Sequence, residues 1–336
     1  MVNELPRVLV TGGGGYVGGI LVPRLIDEGY TVTVYDTFYF GRTGLPDHPA
    51  LEIVEGDIRD TAKLAAAMRG KDAVLHLACI SNDPSFELDE GLSKTINYDC
   101  FESIVVSAKA AGVKRFVYCS SSSVYGVSEH PDVTEDHPLV PLTLYNKFKG
   151  MCEPILFKHM TSSFTCVTIR PATVCGYSPR MRLDLSVNIL TAHAVNNRRI
   201  TVFGGEQLRP NLHIKDMAEA YLLMLRAPAE KIQGEIFNIG YQNHSIAEIA
   251  EMVKSVVDRE FPAGQPIDIV RTPSDDKRSY HINSDKIRRV LGFVPKHSIE
   301  DAVCDLCVAF RDGKLPNAMT DANYYNVRTM KSLAAA

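Results

Sequence analysis

A short apolar run, Arg7–Thr11 (RVLVT), passes directly into Thr11-Gly12-Gly13-Gly14-Gly15-Tyr16-Val17-Gly18, and an apolar-periodic stretch follows to about Glu28. The order strand, glycine turn, helix gives Gly12-x-x-Gly15-x-x-Gly18 its meaning. Glycine is needed where the turn is tight and where the backbone must come close to a pyrophosphate. The helix that opens at the turn points N–H donors and the positive end of its dipole at that group. Gly29 then stands where a helix C-terminus favours glycine.

The same alternation continues. Thr31–Asp36 (TVTVYD), Leu51–Glu55, Ala73–Leu77, Arg115–Cys119 and Phe164–Arg170 read as strands, rich in β-branched and aromatic residues. Between them, Ala62–Met68, Glu90–Ala111 and Leu142–His159 read as helices, the last kinked or interrupted at Pro154. Alternating strands and helices predict a doubly wound parallel sheet with helices on both faces, an α/β fold. After Pro171 loops lengthen and short elements mix. Leu183–Asn196, Met217–Leu225, Ile246–Val257 and Ile299–Phe310 look helical there, and Ile236–Ile239 looks like a strand that returns to the main sheet. The chain is thus expected to carry a smaller second domain covering the carboxyl ends of the strands. The tail 317–336 gives no clear pattern.

Tyr145 and Lys149 are four residues apart, so on a helix they share a face. A phenol titrates near pH ~10, and a neighbouring ammonium favours its anion. Such a phenolate can take the proton of an alcohol while a nicotinamide takes the hydride. Asp36 closes the second strand, where a carboxylate accepts from both ribose hydroxyls and repels a 2′-phosphate, favouring NAD over NADP. Asp57-Ile58 follows the third strand, and its carboxylate could accept from an adenine amino group.

Composition removes other classes. A net charge of −4 argues against general nucleic-acid binding. No run of about 18 apolar residues is present, which excludes a membrane-spanning helix, and the N-terminus lacks a signal-peptide core. The chain reads as cytoplasmic. Eight scattered cysteines do not suggest a disulfide framework, and Cys304-Asp305-Leu306-Cys307 lacks the second ligand pair a zinc site needs, so no metal is expected. Charge is uneven, however. Tyr177 to Lys215 carries six Lys/Arg against two acids, which suits an anionic small ligand.

These motifs, with His76-Leu77-Ala78, Asn97, Ser120–Gly126 (SSSSVYG), Tyr145–Lys149 (YNKFK), Arg170-Pro171 and Arg209–His213 (RPNLH), resemble the extended short-chain dehydrogenase/reductase family in its nucleotide-sugar epimerase/dehydratase branch. The resemblance runs from about Arg7 to Phe293. It implies an NAD-binding Rossmann domain over 1–170, with a returning segment near 212–240, and a mainly substrate-binding domain over 171–336. It implies Ser121, Tyr145 and Lys149 as the catalytic set, with Tyr145 as general base. Gly12, Gly15, Tyr16, Val17, Gly18, Asp36, Asp57, Ile58, Leu77, Ala78 and Asn97 would surround NAD. Ser81, Asn82, Ser121, Ser122, Thr173, Arg209 and Arg278 would meet a nucleotide-diphosphate sugar, Arg271 being a second candidate for the phosphates. The resemblance also implies a homodimer through helices near 90–111 and 142–159.

Two departures matter. In 4,6-dehydratases an Asp-Glu pair follows the catalytic Thr; here those positions are Ser122 and Ser123, which disfavours water elimination. Thr173 stands where many relatives carry an Asn that touches the substrate. The leading expectation is an NAD-dependent nucleotide-sugar epimerase, most simply at C4 through a 4-keto sugar. A 4-ketosugar reductase, a sugar-nucleotide dehydrogenase or decarboxylase, and a non-catalytic NAD-binding scaffold are the rivals.

Overall fold

Twelve strands are present among the described residues: β1 (Arg7–Thr11), β2 (Thr31–Asp36), β3 (Leu51–Glu55), β4 (Ala73–His76), β5 (Arg115–Cys119), β6 (Thr165–Pro171), β7 (Thr173–Cys175), β8 (Arg199–Phe203), β9 (Leu208–His213), β10 (Ile236–Ile239), β11 (Gln242–Ser245) and β12 (Asp268–Thr272). The computed structural model describes residues 4–274 and 279–334. Seven strands form one parallel sheet in the order β3-β2-β1-β4-β5-β6-β10. Strand order reverses between β1 and β4, and in such sheets a ligand crevice opens outside the carboxyl ends of the strands at that point.

The central strands are buried on both faces. Val8, Val10, Val32, Val34, Leu75, Val117 and Val167 pack into one core layer, while Leu9, Tyr35, Val74, Phe116, Tyr118 and Cys166 pack into the opposite one. Alternate residues of a strand point to opposite faces, so both sets must be apolar when helices cover both sides. Ile236–Ile239 pairs with Thr168–Pro171 at the sheet edge. The helix Ile214–Arg226 just before it lies against Gly18–Asp27, where Arg24 Nε meets Glu219 Oε1 at 2.7 Å. Beyond the main sheet, β11-β9-β7 and β12-β8 form two small sheets. Their neighbours Ser186–Asn197, Ile246–Glu260 and Ile299–Arg311 share a separate apolar core that includes Val187, Val253 and Val303. Ser245 and Ser298 start the last two helices with capping boxes.

Two expected helices differ from the sequence reading. Glu90–Ala111 is not continuous: α-helix over Glu90–Lys94 passes into a π-turn at Thr95–Asp99, and α-helix resumes at Phe101–Ala110. The wider turn carries Asn97, whose amide is engaged outside the helix. Pro154 does not interrupt Leu144–Lys158, which runs through it for 15 residues. A proline costs an interior helix one N–H bond, and here the apolar packing of Cys152 and Leu156 on either side holds the segment helical. Five strands after Pro171 other than β10 are too short and irregular for periodicity to reveal them. Among the described residues no helix is long and apolar enough to cross a membrane.

His76 ends β4 fully inside the sheet, with Nδ1 2.8 Å from Thr11 Oγ1 and its ring against Phe101, Phe116 and Tyr118. Burial, with the Lys149 ammonium in support, pushes its pKa down to about 3. The unfolded imidazole takes up a proton near pH ~6.5. Its contribution to stability is therefore complete above that pH and is lost as pH falls toward 3, at about 1.4 kcal/mol per pH unit. Urea unfolding of the wild type and of His76→Gln between pH 7 and 4.5 should show the steeper decline in the wild type; parallel curves would contradict this.

Candidate active site

The glycine turn is built by contact. A Cβ on Gly18 would stand 2.1 Å from the Gly13 carbonyl oxygen, and one on Gly12, at φ +74°, would stand 2.6 Å from the Ala78 nitrogen. The start of the helix is thereby pressed onto the end of β1, and the turn onto the end of β4. Gly14 N donates to Asp36 Oδ2 at 2.9 Å and Phe38 N to Asp36 Oδ1 at 2.8 Å. Burial raises the Asp36 carboxyl above its ordinary range, while these two N–H groups and Arg180 work against the rise.

A cleft of about 370 Å³ opens at this point. Gly12, Gly15, Tyr16, Val17, Gly18, Asp36, Asp57, Ile58, Leu77 and Ala78 line one part of it. Asp57 is held by Arg59, Nη2 to Oδ2 2.6 Å, which lowers its pKa. Tyr16 is turned inward, donating to the Gly176 carbonyl at 2.6 Å. Asn97 belongs to this group by sequence, but its side chain is engaged elsewhere. It accepts from Ile80 N at 2.8 Å and donates to Ile80 O at 2.9 Å, and it is Ile80 that lines the cleft. Asn97 fixes the loop after β4 and does not itself face the cavity.

The cradle suits a dinucleotide. A backbone stripped of Cβ atoms at its closest approaches, a helix N-terminus facing the cavity, and a carboxylate at the end of β2 are what the diphosphate and an adenosine ribose require.

The cleft's other part is lined by Ser81, Asn82, Ser121, Ser122, Ser123, Tyr145, Lys149 and Thr173. Thr143 caps the helix 144–158, accepting from Asn146 N at 3.3 Å, and donates to Asp83 Oδ1 at 2.6 Å. Helical spacing then puts Tyr145, Lys149 and Glu153 on one face. Lys149 is 3% exposed and donates from Nζ to the Cys119 carbonyl at 2.7 Å, at the end of β5. One turn on, Glu153 forms a buried pair with Arg170 (Nη2 to Oε2 2.5 Å; Nε to Oε1 2.9 Å) and accepts from Ser120 Oγ at 2.6 Å. Arg170 also reaches the Tyr125 hydroxyl at 2.7 Å, and Tyr125 donates to Asn238 Oδ1 at 2.7 Å. The chain Ser120–Glu153–Arg170–Tyr125–Asn238 ties the helix to β5, β6 and β10.

Ser121 Oγ lies 2.7 Å from Ser123 Oγ and accepts from Ser123 N at 3.2 Å. Ser123 in turn donates to Asn146 Oδ1. The Tyr145 phenol differs from the sequence expectation. Burial is the largest influence and pushes it above its ordinary range, with Lys149 pulling it back. The ammonium acts in the expected direction without setting the net shift.

Arg209 stacks on Tyr280, guanidinium to ring centre 4.9 Å, and Tyr280 rather than Arg209 lines the cleft. Arg271 meets Glu206 at 3.8 Å, away from the cleft. Arg278 lies outside the described residues. Arg180, which the sequence offers only as a basic group for a carboxylate-bearing sugar, and Asp83, in the loop expected to face the sugar, both line the cavity; Asn326 and Met330, which no sequence feature marks as site residues, line it too. The basic stretch 177–215 was a signal for Arg180 and Arg182, but nothing local marked the tail. Arg182 is paired in bidentate fashion with Asp184, at 2.9 and 3.2 Å. Arg180 has no carboxylate partner among the described residues. Its guanidinium stacks 3.9 Å from the Phe40 ring centre, its Nε is buried without a partner, and burial, then Arg182, lower its pKa to about 9.

Comparison with known proteins agrees with this geometry. The model of the NAD dependent epimerase/dehydratase family matches residues 8–240. A UDP-glucose 4-epimerase of Lactobacillus helveticus is 30% identical over 321 residues, covering 88% of this chain and 94% of the relative. A UDP-glucose 4-epimerase of Azospirillum brasilense is 30% identical over 323 residues, covering 89% and 90%. The structure of a Thermus thermophilus UDP-glucose 4-epimerase in complex with NAD superposes with a TM-score of 0.79 at 23% identity, covering 91% of this chain and 99% of the other, a likeness of fold.

Asp36 should govern the choice of dinucleotide. Asp36→Ala is expected to weaken NAD binding about tenfold, the cost of about 1.4 kcal/mol of hydrogen bonding, and to narrow the preference over NADP. Fluorescence titration with NADH and NADPH measures both; an unchanged ratio would refute the assignment.

Proposed function

The chain belongs to the NAD-dependent epimerase/dehydratase family, and on that premise we propose that it is a nucleotide-sugar epimerase acting at C4 through a transient 4-keto sugar. The observation that carries this reading is the convergence of Ser121, Tyr145 and Lys149 on one cleft in which Ser122 and Ser123 replace the acid–base carboxylates of dehydration. Asp83 does line the cavity, but its Oδ1 accepts the Thr143 hydroxyl as part of the helix cap.

NAD, when bound, supplies hydride acceptance and return at the sugar carbon. The protein's residues do the rest. Gly12, Gly15 and Gly18 admit the diphosphate, Asp36 takes the adenosine ribose, and Leu77 and Ala78 line the nicotinamide side. Tyr145 exchanges the proton of the sugar hydroxyl, with Ser121 hydrogen-bonded to the same oxygen. Lys149, anchored on Cys119 O, keeps a positive charge beside the phenol and opposes the effect of burial. Asn97 holds the Ile80 peptide so that Ser81 and Asn82 face the sugar. Thr173 and Ser122 complete that wall; Arg209 would serve the substrate diphosphate only by leaving its stack on Tyr280, which is the residue that lines the cleft, and Arg278 is the other residue assigned to that group.

The same reading includes a homodimer. Val106 on the helix 101–110 and Met151 on the helix 144–158 are exposed at 45% and 36%, which supports burial of those helices against a second copy. All eight cysteines are free, which supports a reducing, cytoplasmic setting.

Product NMR on a panel of UDP-, dTDP-, GDP- and CDP-sugars should show inversion at C4 without net NADH formation. Net formation or consumption of NADH instead would replace epimerisation by dehydrogenation or reduction. Tyr145→Phe should lower kcat by about 10²- to 10⁴-fold, the range for loss of a general acid–base group, with bound NAD retained. Met151→Glu should shift the sedimentation coefficient to that of a monomer; an unchanged dimer would place the interface elsewhere.

A further inference from the structure

The end of the chain crosses the cleft. Leu183 N donates to the Tyr324 carbonyl at 2.8 Å, which attaches the segment to the C-terminal half. Asn326 then begins a helix, Asn326–Ala334, that packs against Asp83–Phe86 in the other half, with Met330 against the core layer that contains Ile80. The Tyr325 hydroxyl donates to Ala318 O at 2.9 Å and Thr329 Oγ1 to Ala322 O at 2.8 Å, so the segment is braced on its own preceding turn.

Asn326 is 3% exposed, and its side chain holds two residues of the cavity wall while its backbone N–H holds a third residue behind it. Its Oδ1 accepts from Arg180 Nη2 at 2.6 Å. Its Nδ2 donates to Ser81 Oγ at 3.1 Å, and its backbone N–H donates to Asp184 Oδ2 at 3.1 Å. Arg180, 4% exposed, is therefore a buried cation whose side-chain partner among the described residues is a neutral amide and not an ion-paired carboxylate. Asp184 and Asp36 act on this charge without forming an ion pair with it, and a phosphate is a partner that the planar guanidinium fork can hold bidentately. The Arg180 backbone lies against the helix that the glycine turn opens, since a Cβ on Gly19 would stand 3.7 Å from Arg180 N. That places the residue on the dinucleotide part of the cleft.

We propose that Asn326 is a positioning residue for the cofactor site: it aims Arg180 at the dinucleotide diphosphate while its other arm fixes Ser81, so the C-terminal strap completes the cleft. The proposal rests on the cofactor placement above and is independent of which sugar is turned over. An amide suits this task because it accepts from the guanidinium and donates to the serine at once. A carboxylate would cancel the charge that the phosphate needs.

Competition against NADH fluorescence in the full-length protein tests this with ADP and adenosine, which differ by the diphosphate. Asn326→Ala should weaken ADP and NADH about tenfold and leave adenosine within about twofold. Arg180→Gln should do the same, and the double variant should lose no more than Arg180→Gln alone. Asn326→Ser, which cannot bridge both partners, gives the same pattern if the alanine variant fails to fold. Equal weakening of ADP and adenosine, additive losses, or unchanged affinities overturn the proposal while leaving the cofactor site in place. A wild-type protein that does not bind NADH overturns the cofactor placement and the strap with it.

Discussion

The backbone of Gly12 approaches Ala78, and that of Gly18 approaches Gly13, too closely to admit a Cβ, and the site depends on these two contacts. With no Cβ between them, the end of β1, the start of the following helix and the end of β4 meet at van der Waals distance. Any other residue at position 18 would drive its Cβ into the Gly13 carbonyl, and the helix N-terminus would leave the sheet. From that contact follow the crevice between β1 and β4, the exposure of N–H donors at its floor, and the register that brings Asp36 within reach of Gly14 N.

A second constraint is electrostatic. Lys149 and Arg170 are both 3% exposed, yet they are stabilised in different ways. Arg170 has a full carboxylate partner in Glu153 and serves the frame. Lys149 has a carbonyl, Cys119 O, and so retains charge for its neighbours. Breaking a buried pair is expensive, at about 3–5 kcal/mol, whereas the pair itself adds little beyond an apolar substitute. Glu153 and Arg170 therefore read as a register device: they fix the helix that carries Tyr145 and Lys149 relative to β5 and β6.

The fold was legible where periodicity is strong. Strands β2 and β3 and the returning strand Ile236–Ile239 lie where the sequence pattern put them, since β-branched runs and glycine boundaries mark them. The π-turn at Thr95–Asp99 was not legible, because it is confined to one turn, and the Asn97 side chain that it presents finds its partner in Ile80, 17 residues away in sequence. Residues read from motifs at strand ends reach the cleft, because their position follows from local chain geometry. Arg180 and Asn326 could not be read that way. They are 146 residues apart in sequence and meet only through tertiary folding. The Tyr145 pKa was misjudged for a similar reason: helical spacing reports the Lys149 neighbour but not the burial that opposes it.

The serine run has a directional consequence. A hydroxyl has one hydrogen to give. Ser123 gives its hydrogen to Asn146 Oδ1, so in its contact with Ser121 it can only receive. The Ser121 hydrogen therefore points along the turn, and the oxygen of Ser121 keeps a lone pair for the cleft. An alcohol arriving there is met by an acceptor. A ketone, which has no hydrogen to offer, is met only after the Ser121 hydroxyl rotates out of the run, while the Ser123 N–H keeps its oxygen in place. A single rotor would thus let one side chain meet either the alcohol or the ketone of the proposed sugar substrate, with no movement of the backbone.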